Sequence, residues 1–416
     1  LGKEDQNRFK EKYGFFAKNE KNIGTIWIHG ASIGESQSAL ILLKRISEIY
    51  PDIQFLITTG TLTSAKLMEK SLPPNALHQF FPLDHPNYVQ RFLDHWKPDI
   101  VLWMESELWP NTLHEIKKRT IPALLINARM SKRSAGTWKL FPALIKKMLN
   151  SFDKILCQSE QNLDNYKKLG AKNAIDTGNI KYAASPLKCD KDELRRLLNT
   201  THNRPIWLYA STHHDEESIA CEVHERLKQL YPDILTVIVP RHPDRRDSII
   251  EATAKFKSLK IELRSTQIKK TPSKDTDIYI VDTLGELGLF YRLSPISCIG
   301  RSFSKDGGGG HNPIEAAQLG SAVLHGPNVQ NLQDIYDDMD ANNISIQTDT
   351  PDILASTLTD LLGNRAKLEQ IQNASVKYSR SKSQVIENIL KHIVPILEQI
   401  AANNTPSDTY ETIDAV

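Results

Sequence analysis

Four cysteines in 416 residues, scattered as Cys157, Cys189, Cys221 and Cys298, make no C-x-x-C pair. Their sparseness excludes a disulfide framework and predicts reduced thiols in a cytosolic setting. No apolar run reaches the roughly 20 residues that a membrane-spanning helix needs. Net charge is only +2, too balanced for a general nucleic-acid binder. No H-x-x-x-H pair occurs and no P-loop lysine accompanies the glycine run described below, so neither a metal nor another cofactor is expected. The chain starts at Leu1 rather than methionine, which predicts an upstream piece that carries a membrane anchor.

What is present is enough for two or three domains: 40% apolar and 25% charged residues over this length. Short β-rich runs at Thr25–His29, Gln54–Thr58, Leu77–Phe81, Ile100–Met104, Ala123–Asn127, Lys154–Cys157 and Ala174–Thr177 alternate with helical spacing. A second series follows at Ile206–Ala210, Leu235–Val239, Asp277–Val281, Ile296–Ile299 and Ala322–Leu324. Strands that alternate with helices predict parallel sheets covered on both faces. The fold class is therefore α/β, with two Rossmann-like doubly wound domains and a cleft between them. Their expected bounds are 1–180 and 205–382, with a linker at 181–204. The last segment, 383–416, is expected to cross back to the first domain as a helix and to end in a polar tail.

The stretch Gly307-Gly-Gly-Gly-His-Asn-Pro-Ile-Glu-Ala-Ala-Gln-Leu-Gly320 lies between two of these strands. It predicts a glycine loop that opens a helix, with Asn312 as N-cap, Pro313 in the first turn and backbone N–H groups free for an anion. Glu315, one turn in, suits the vicinal hydroxyls of a ribose. Other predicted strand ends are polar too. His29-Gly-Ala-Ser-Ile-Gly-Glu35 brings a carboxylate to a helix start, where the dipole favours its ionised form. Glu105-Ser-Glu-Leu-Trp-Pro110 sets two acids between Trp103 and Trp109, a setting for an acceptor sugar. Ser211 and Thr212 are hydroxyl donors to phosphate, Arg241 is a phosphate clamp, and Gly285 with Leu287 leave room for a flat base. Between Lys117 and Lys147 nine basic residues occur with no acid. Apolar residues are interleaved with Lys132, Arg133, Lys146 and Lys147, so this segment is either a solvated helix face or a surface for an anionic lipid.

Taken together, the motifs resemble the Kdo transferases, glycosyltransferases of the GT-B fold that act on 3-deoxy-D-manno-octulosonic acid (Kdo). The matching stretches are His29–Glu35, Met104–Pro110, Asn127–Ser131, Gly178–Lys181, Pro240–Pro243, Asp282–Leu287 and Gly309–Ala317. The resemblance implies Glu35 as general base, and Glu105 and Lys181 as groups that stabilise the transition state. It implies a CMP site at Pro240, Arg241, Gly285, Glu286, Leu287, Asn312, Pro313, Ile314 and Glu315. It further implies an inverting, metal-independent transfer of Kdo from CMP-Kdo to a lipid A precursor at the cytoplasmic face of the inner membrane. Two other readings stay open at this point: a GT-B-like nucleotide-sugar epimerase, and a non-enzymatic module that binds anionic lipid.

Overall fold

The computed structural model describes residues 4–16, 25–266 and 271–404, with the backbone alone at Lys132, Ala401, Asn403 and Asn404. The expected tail beyond Asn404 lies outside the described residues. The chain divides into two compact units, Leu1–Ala184 with Lys382–Val416, and Ser185–Ser381.

The first unit holds β1 (Thr25–His29), β2 (Gln54–Thr59), β3 (Ala76–Phe80), β4 (Ile100–Met104), β5 (Ala123–Ala128), β6 (Lys154–Cys157) and β7 (Ala174–Asp176). They form one sheet in the order β3-β2-β1-β4-β5-β6-β7, with parallel pairings throughout. Alternate side chains serve opposite faces, as the pleat requires. Trp27, Val101, Trp103 and Leu125 enter one core. Ile26, Ile28, Leu102 and Leu124 enter the other, where Ile389, Leu390, Ile393 and Leu397 of the helix Val385–Asn404 cover them. Helices begin where a hydroxyl caps the first free N–H groups: Ser32 accepts from Glu35 N, Thr61 from Ser64 N, and Ser159 from Asn162 N.

The second unit holds β8 (Ile206–Thr212), β9 (Leu235–Pro240), β10 (Ile261–Leu263), β11 (Ile278–Ile280), β12 (Ile296–Ile299), β13 (Ala322–His325) and β14 (Ser345–Gln347). Its sheet order is β10-β11-β9-β8-β12-β13-β14, again parallel. β10 and β14 are three-residue edge strands that the sequence pattern did not predict. Each is too short to show a period, and each exists because one neighbour supplies a ladder.

The stretch 181–204, expected as a linker with a helical piece near Asp192–Leu198, is shared between the two units. Ile180–Ala183 is a 3-10 turn of the first unit, and Lys191–Thr200 is a helix of the second. Asp190 caps that helix by accepting from Asp192 N and Glu193 N. Glu193 then reaches Arg264, an anchor that composition alone does not reveal.

Candidate active site

In doubly wound sheets, ligands collect at the carboxyl ends of strands where the strand order reverses. In the first unit that point lies between β1 and β4, whose ends are in register at His29 and Trp103. The turn after β1 leads into the helix Ile33–Ile49. Glu35 closes a capping box there: Ser32 Oγ donates to Glu35 Oε1 at 3.0 Å, and Ala31 N donates to Oε2 at 2.7 Å. Glu35 is only 8% exposed. Burial, with Glu105 and then Glu107 adding negative potential, raises its pKa to about 7 against the pull of those hydrogen bonds. The expectation that the helix dipole keeps this acid ionised is thus corrected. Desolvation outweighs a dipole worth typically 0.3–1 kcal/mol.

Glu105 stands after β4 with φ of +57°, a left-handed conformation that a non-glycine residue adopts at a cost on the order of 1 kcal/mol. The turn is held: Glu105 N donates to Ile126 O at 2.9 Å, and Tyr166 OH donates to Glu105 O at 3.4 Å. Lys181 Nζ lies 3.8 Å from Glu105 Oε1. Two asparagines bring it there. Asn127 Oδ1 accepts from Ile180 N, and Asn179 Oδ1 accepts from Lys181 N. So Glu35, Glu105 and Lys181, far apart in sequence, belong to one cluster. Trp103 is fully buried and donates to Glu107 O, whereas Trp109 is 37% exposed. Of the two tryptophans expected to flank a sugar, only Trp109 can do so. Beside them His29, in tilted ring contact with Phe81 and Trp103, is held neutral by burial, its pKa lowered to about 3.

The reversal in the second unit lies between β8 and β12. Glu216, fully buried, organises both turns there. Its carboxylate accepts from His213 N at 2.8 Å, Arg301 N at 2.7 Å and Phe303 N at 3.0 Å. Sequence reading passed over Glu216, because an acid near a helix start is so often a plain cap. Ser211, with φ of +61°, is buried at the end of β8. Thr212 is already committed, its hydroxyl donating to Glu217. Pro240 ends β9, and Arg241 follows as an exposed side chain. Glu315 is raised by burial, with Asn312 and then Arg241 opposing the rise.

The glycine run differs from expectation. Gly307 to Gly310 all have positive φ, and a Cβ on Gly309 would stand 2.1 Å from Asn331 Nδ2. Only glycine fits there, for a packing reason. Three of the four glycine N–H groups are taken: Gly308 donates to Asp306 Oδ1, Gly309 to Asn328 O and Gly310 to Arg301 O, and His311 N donates to Gly300 O. The helix is also short, Ile314–Gln318, with Pro313 in the cap position. Asn312 still accepts from Ile314 N and donates to Glu315 Oε1, but one helical turn carries little dipole. Any phosphate at this loop must be held chiefly by side chains.

Gly285, with φ of +82°, shapes the exposed turn before Leu287. Glu286 is turned inward: Arg264 Nη2 lies 2.6 Å from its Oε1 and 2.9 Å from Glu193 Oε1. A ligand at this turn therefore meets backbone rather than the Glu286 carboxylate. Three D-x-D spacings occur, at Asp190–Asp192, Asp275–Asp277 and Asp338–Asp340, and each has a member spent within the fold. Asp190 is the helix cap, Asp277 pairs with Lys228 at 2.6 Å, and Asp340 pairs with His325 at 3.2 Å.

On the basic segment, Leu140 (75%), Phe141 (56%) and Leu144 (40%) are exposed. Arg133, Lys139, Lys146 and Lys147 are exposed with them, while Ile145, Met148 and Leu149 point into the core. The Lys132 side chain lies outside the described residues. Among the described residues no helix is long and apolar enough to cross a membrane.

Two Rossmann-type units in tandem, each with a polar cluster at its strand-order reversal, define a GT-B glycosyltransferase fold. Solved structures of that fold agree. A putative UDP-N-acetylglucosamine 2-epimerase from Listeria monocytogenes superposes with a TM-score of 0.60 at 15% identity, over 90% of this chain and 97% of that one. The MurG of Acinetobacter baumannii gives 0.57 at 12%, over 89% and 100%. Such identities speak for the fold alone. Residues 7–184 match the family described as 3-Deoxy-D-manno-octulosonic-acid transferase (kdotransferase). The 3-deoxy-D-manno-octulosonic acid transferase of Rickettsia bellii is 35% identical over 94% of this chain and 93% of its own. That of Haemophilus influenzae is 31% identical over 95% and 92%. The chain belongs to the 3-deoxy-D-manno-octulosonic acid transferase family.

Proposed function

We propose that this protein transfers Kdo from CMP-Kdo to a lipid A precursor, lipid IVA, with inversion and without a metal. The observation that carries the reading is Glu35, a buried carboxyl with its pKa raised to about 7 beside Glu105 and Glu107. A base is most effective when its pKa lies near the working pH. Glu35 takes the proton of the acceptor hydroxyl, whose oxygen attacks the anomeric carbon of Kdo. The bond from that carbon to the phosphate oxygen breaks from the opposite face, and its electron pair leaves with CMP. Lys181 offsets the charge of Glu105, which would otherwise oppose ionisation of Glu35. Arg241 holds the phosphate, Glu315 the ribose, and the Gly285–Leu287 turn the base, with Ser211, Asn312, Pro313 and Ile314 completing the CMP contacts. Cationic side chains take the part that a divalent ion plays elsewhere.

The Leu140, Phe141 and Leu144 patch, ringed by Arg133, Lys139, Lys146 and Lys147, suits docking on an anionic bilayer at the cytoplasmic face of the inner membrane. Incubation of the purified protein with CMP-Kdo and lipid IVA, with EDTA present, tests the reading. A product heavier by one or more Kdo residues, with CMP released, is expected. Intact lipid IVA after many hours, or an isomerised donor with no transfer, overturns it.

A further inference from the structure

Three side chains of the second unit form a chain that no assignment above uses. Asp306 Oδ2 lies 3.1 Å from His213 Nδ1, and His213 Nε2 lies 2.9 Å from His311 Nε2. An ionised carboxylate only accepts, so His213 carries its proton on Nδ1. With that ring neutral, its Nε2 accepts, and His311 supplies the bridging hydrogen from its own Nε2. His311 Nδ1 is then left with a lone pair, able to receive a proton.

The chain sits beside two arginines and a third imidazole, and Arg301 Nε lies 3.6 Å from Asp306 Oδ1. Arg241 and His242 face it from the turn after β9, and Arg301 faces it from the loop after β12. Burial first, then His213, Arg241, Arg301 and His242, lower the His311 pKa to about 3. Burial also lowers that of His213, against the pull of Asp306. Both rings are therefore neutral beside two arginines. Burial is the larger cause of that neutrality and the arginines add to it, so an anion on those arginines would remove their share. Three of the four glycine N–H groups nearby are already bonded within the protein, so charge recognition here falls chiefly to side chains.

We propose that Asp306, His213 and His311 form a proton-accepting relay that takes up one proton when a phosphate monoester dianion binds beside Arg241. The relay thereby tells the leaving CMP from the intact donor. This rests on the nucleotide reading proposed above. The donor phosphate is a diester with one negative charge. Bond cleavage delivers an electron pair to its oxygen and makes it a dianion. The acceptor's proton goes to Glu35, and the relay draws its own proton from solvent, so protons and charge balance. The positive charge appears at the phosphate site as the second negative charge forms there.

Titration calorimetry of the full chain tests this at pH 7.5, where a phosphate monoester with a second pKa near 6 is mostly dianionic. CMP and cytidine are each titrated in two buffers of different ionisation enthalpy. We expect CMP to bind with net proton uptake, and cytidine with almost none. Glu315, the other titratable group near Arg241, would also take up a proton with CMP and not with cytidine, so two variants separate it from the relay. His311→Gln and Asp306→Asn, the latter at an exposed position that poses little threat to folding, are expected to keep CMP binding and lose the uptake. CMP binding without buffer dependence overturns the relay and leaves the nucleotide reading standing. Uptake that survives in both variants also overturns it. Failure of both ligands to bind the wild type overturns the nucleotide reading and the relay together.

Discussion

At the β1/β4 edge of the first unit the polar groups are carboxylates, Glu35, Glu105 and Glu107, with one lysine 3.8 Å from Glu105. At the corresponding β8/β12 edge of the second, imidazoles and guanidiniums, His213, His311, Arg241 and Arg301, surround the buried carboxylate of Glu216. Strand order sets where each cluster sits, and the loop residues set its sign. Burial acts alike in both, because it disfavours the charged form whatever that form is. It moves Glu35 up to about 7 and His311 down to about 3. One edge thus carries a buried acid raised to about 7, and the other carries buried imidazoles held neutral.

The sharpest way to break this contrast is Glu35→Gln. Loss of a well-placed base should lower turnover by ~10²–10⁴ while CMP affinity, a property of the other unit, stays the same. In the wild type kcat/KM should fall as pH drops through about 7, and the variant should lack that limb. Stability should move the other way. The folded pKa of Glu35 lies above its unfolded value, so its favourable contribution is complete below the unfolded pKa and lost as pH rises through about 7. Glutamine should therefore raise the melting temperature at pH 8, by the equivalent of at most about 3 kcal/mol, and change it little at pH 4. Unchanged turnover, or a gain confined to low pH, would dissolve the contrast.

Arg264→Met tests the frame of the second unit. It leaves Glu193 and Glu286 charged with their shared partner gone, a loss of ~3–5 kcal/mol by denaturant unfolding. A loss below about 1 kcal/mol would mean that the pair merely decorates the fold. CMP affinity in the surviving folded protein should fall too, because Arg264 fixes the turn at Gly285.

The smallest effect is expected at the basic segment. Replacement of Arg133, Lys139, Lys146 and Lys147 by glutamine should weaken binding to anionic vesicles, at about 1 kcal/mol per charge. Binding to neutral vesicles and CMP affinity should stay unchanged. Equal loss on both vesicle types would move the docking surface elsewhere.

Much of the architecture was legible beforehand because a β/α alternation writes itself as apolar runs separated by helical spacing. β1, β4, β6 and β12 begin and end at the residues that the pattern marks. Glu35, Glu105 and Lys181 were legible as motif members, yet their meeting was not. It depends on Asn127 and Asn179, whose side chains bond backbone 53 and 2 residues away in sequence.

The order of residues by itself determined two parallel αβ series, the family, and which side chains are candidates for chemistry. Periodicity and motif spacing are local properties, and local properties survive in a string of letters. Only the tertiary structure decided that Glu35 is raised rather than dipole-stabilised, that three of the four glycine N–H groups are already bonded, that Glu286 belongs to Arg264, and that two histidines 98 residues apart share a hydrogen. Each of those outcomes depends on how much water the surrounding chain excludes and which partner it delivers, and distance along the sequence encodes neither.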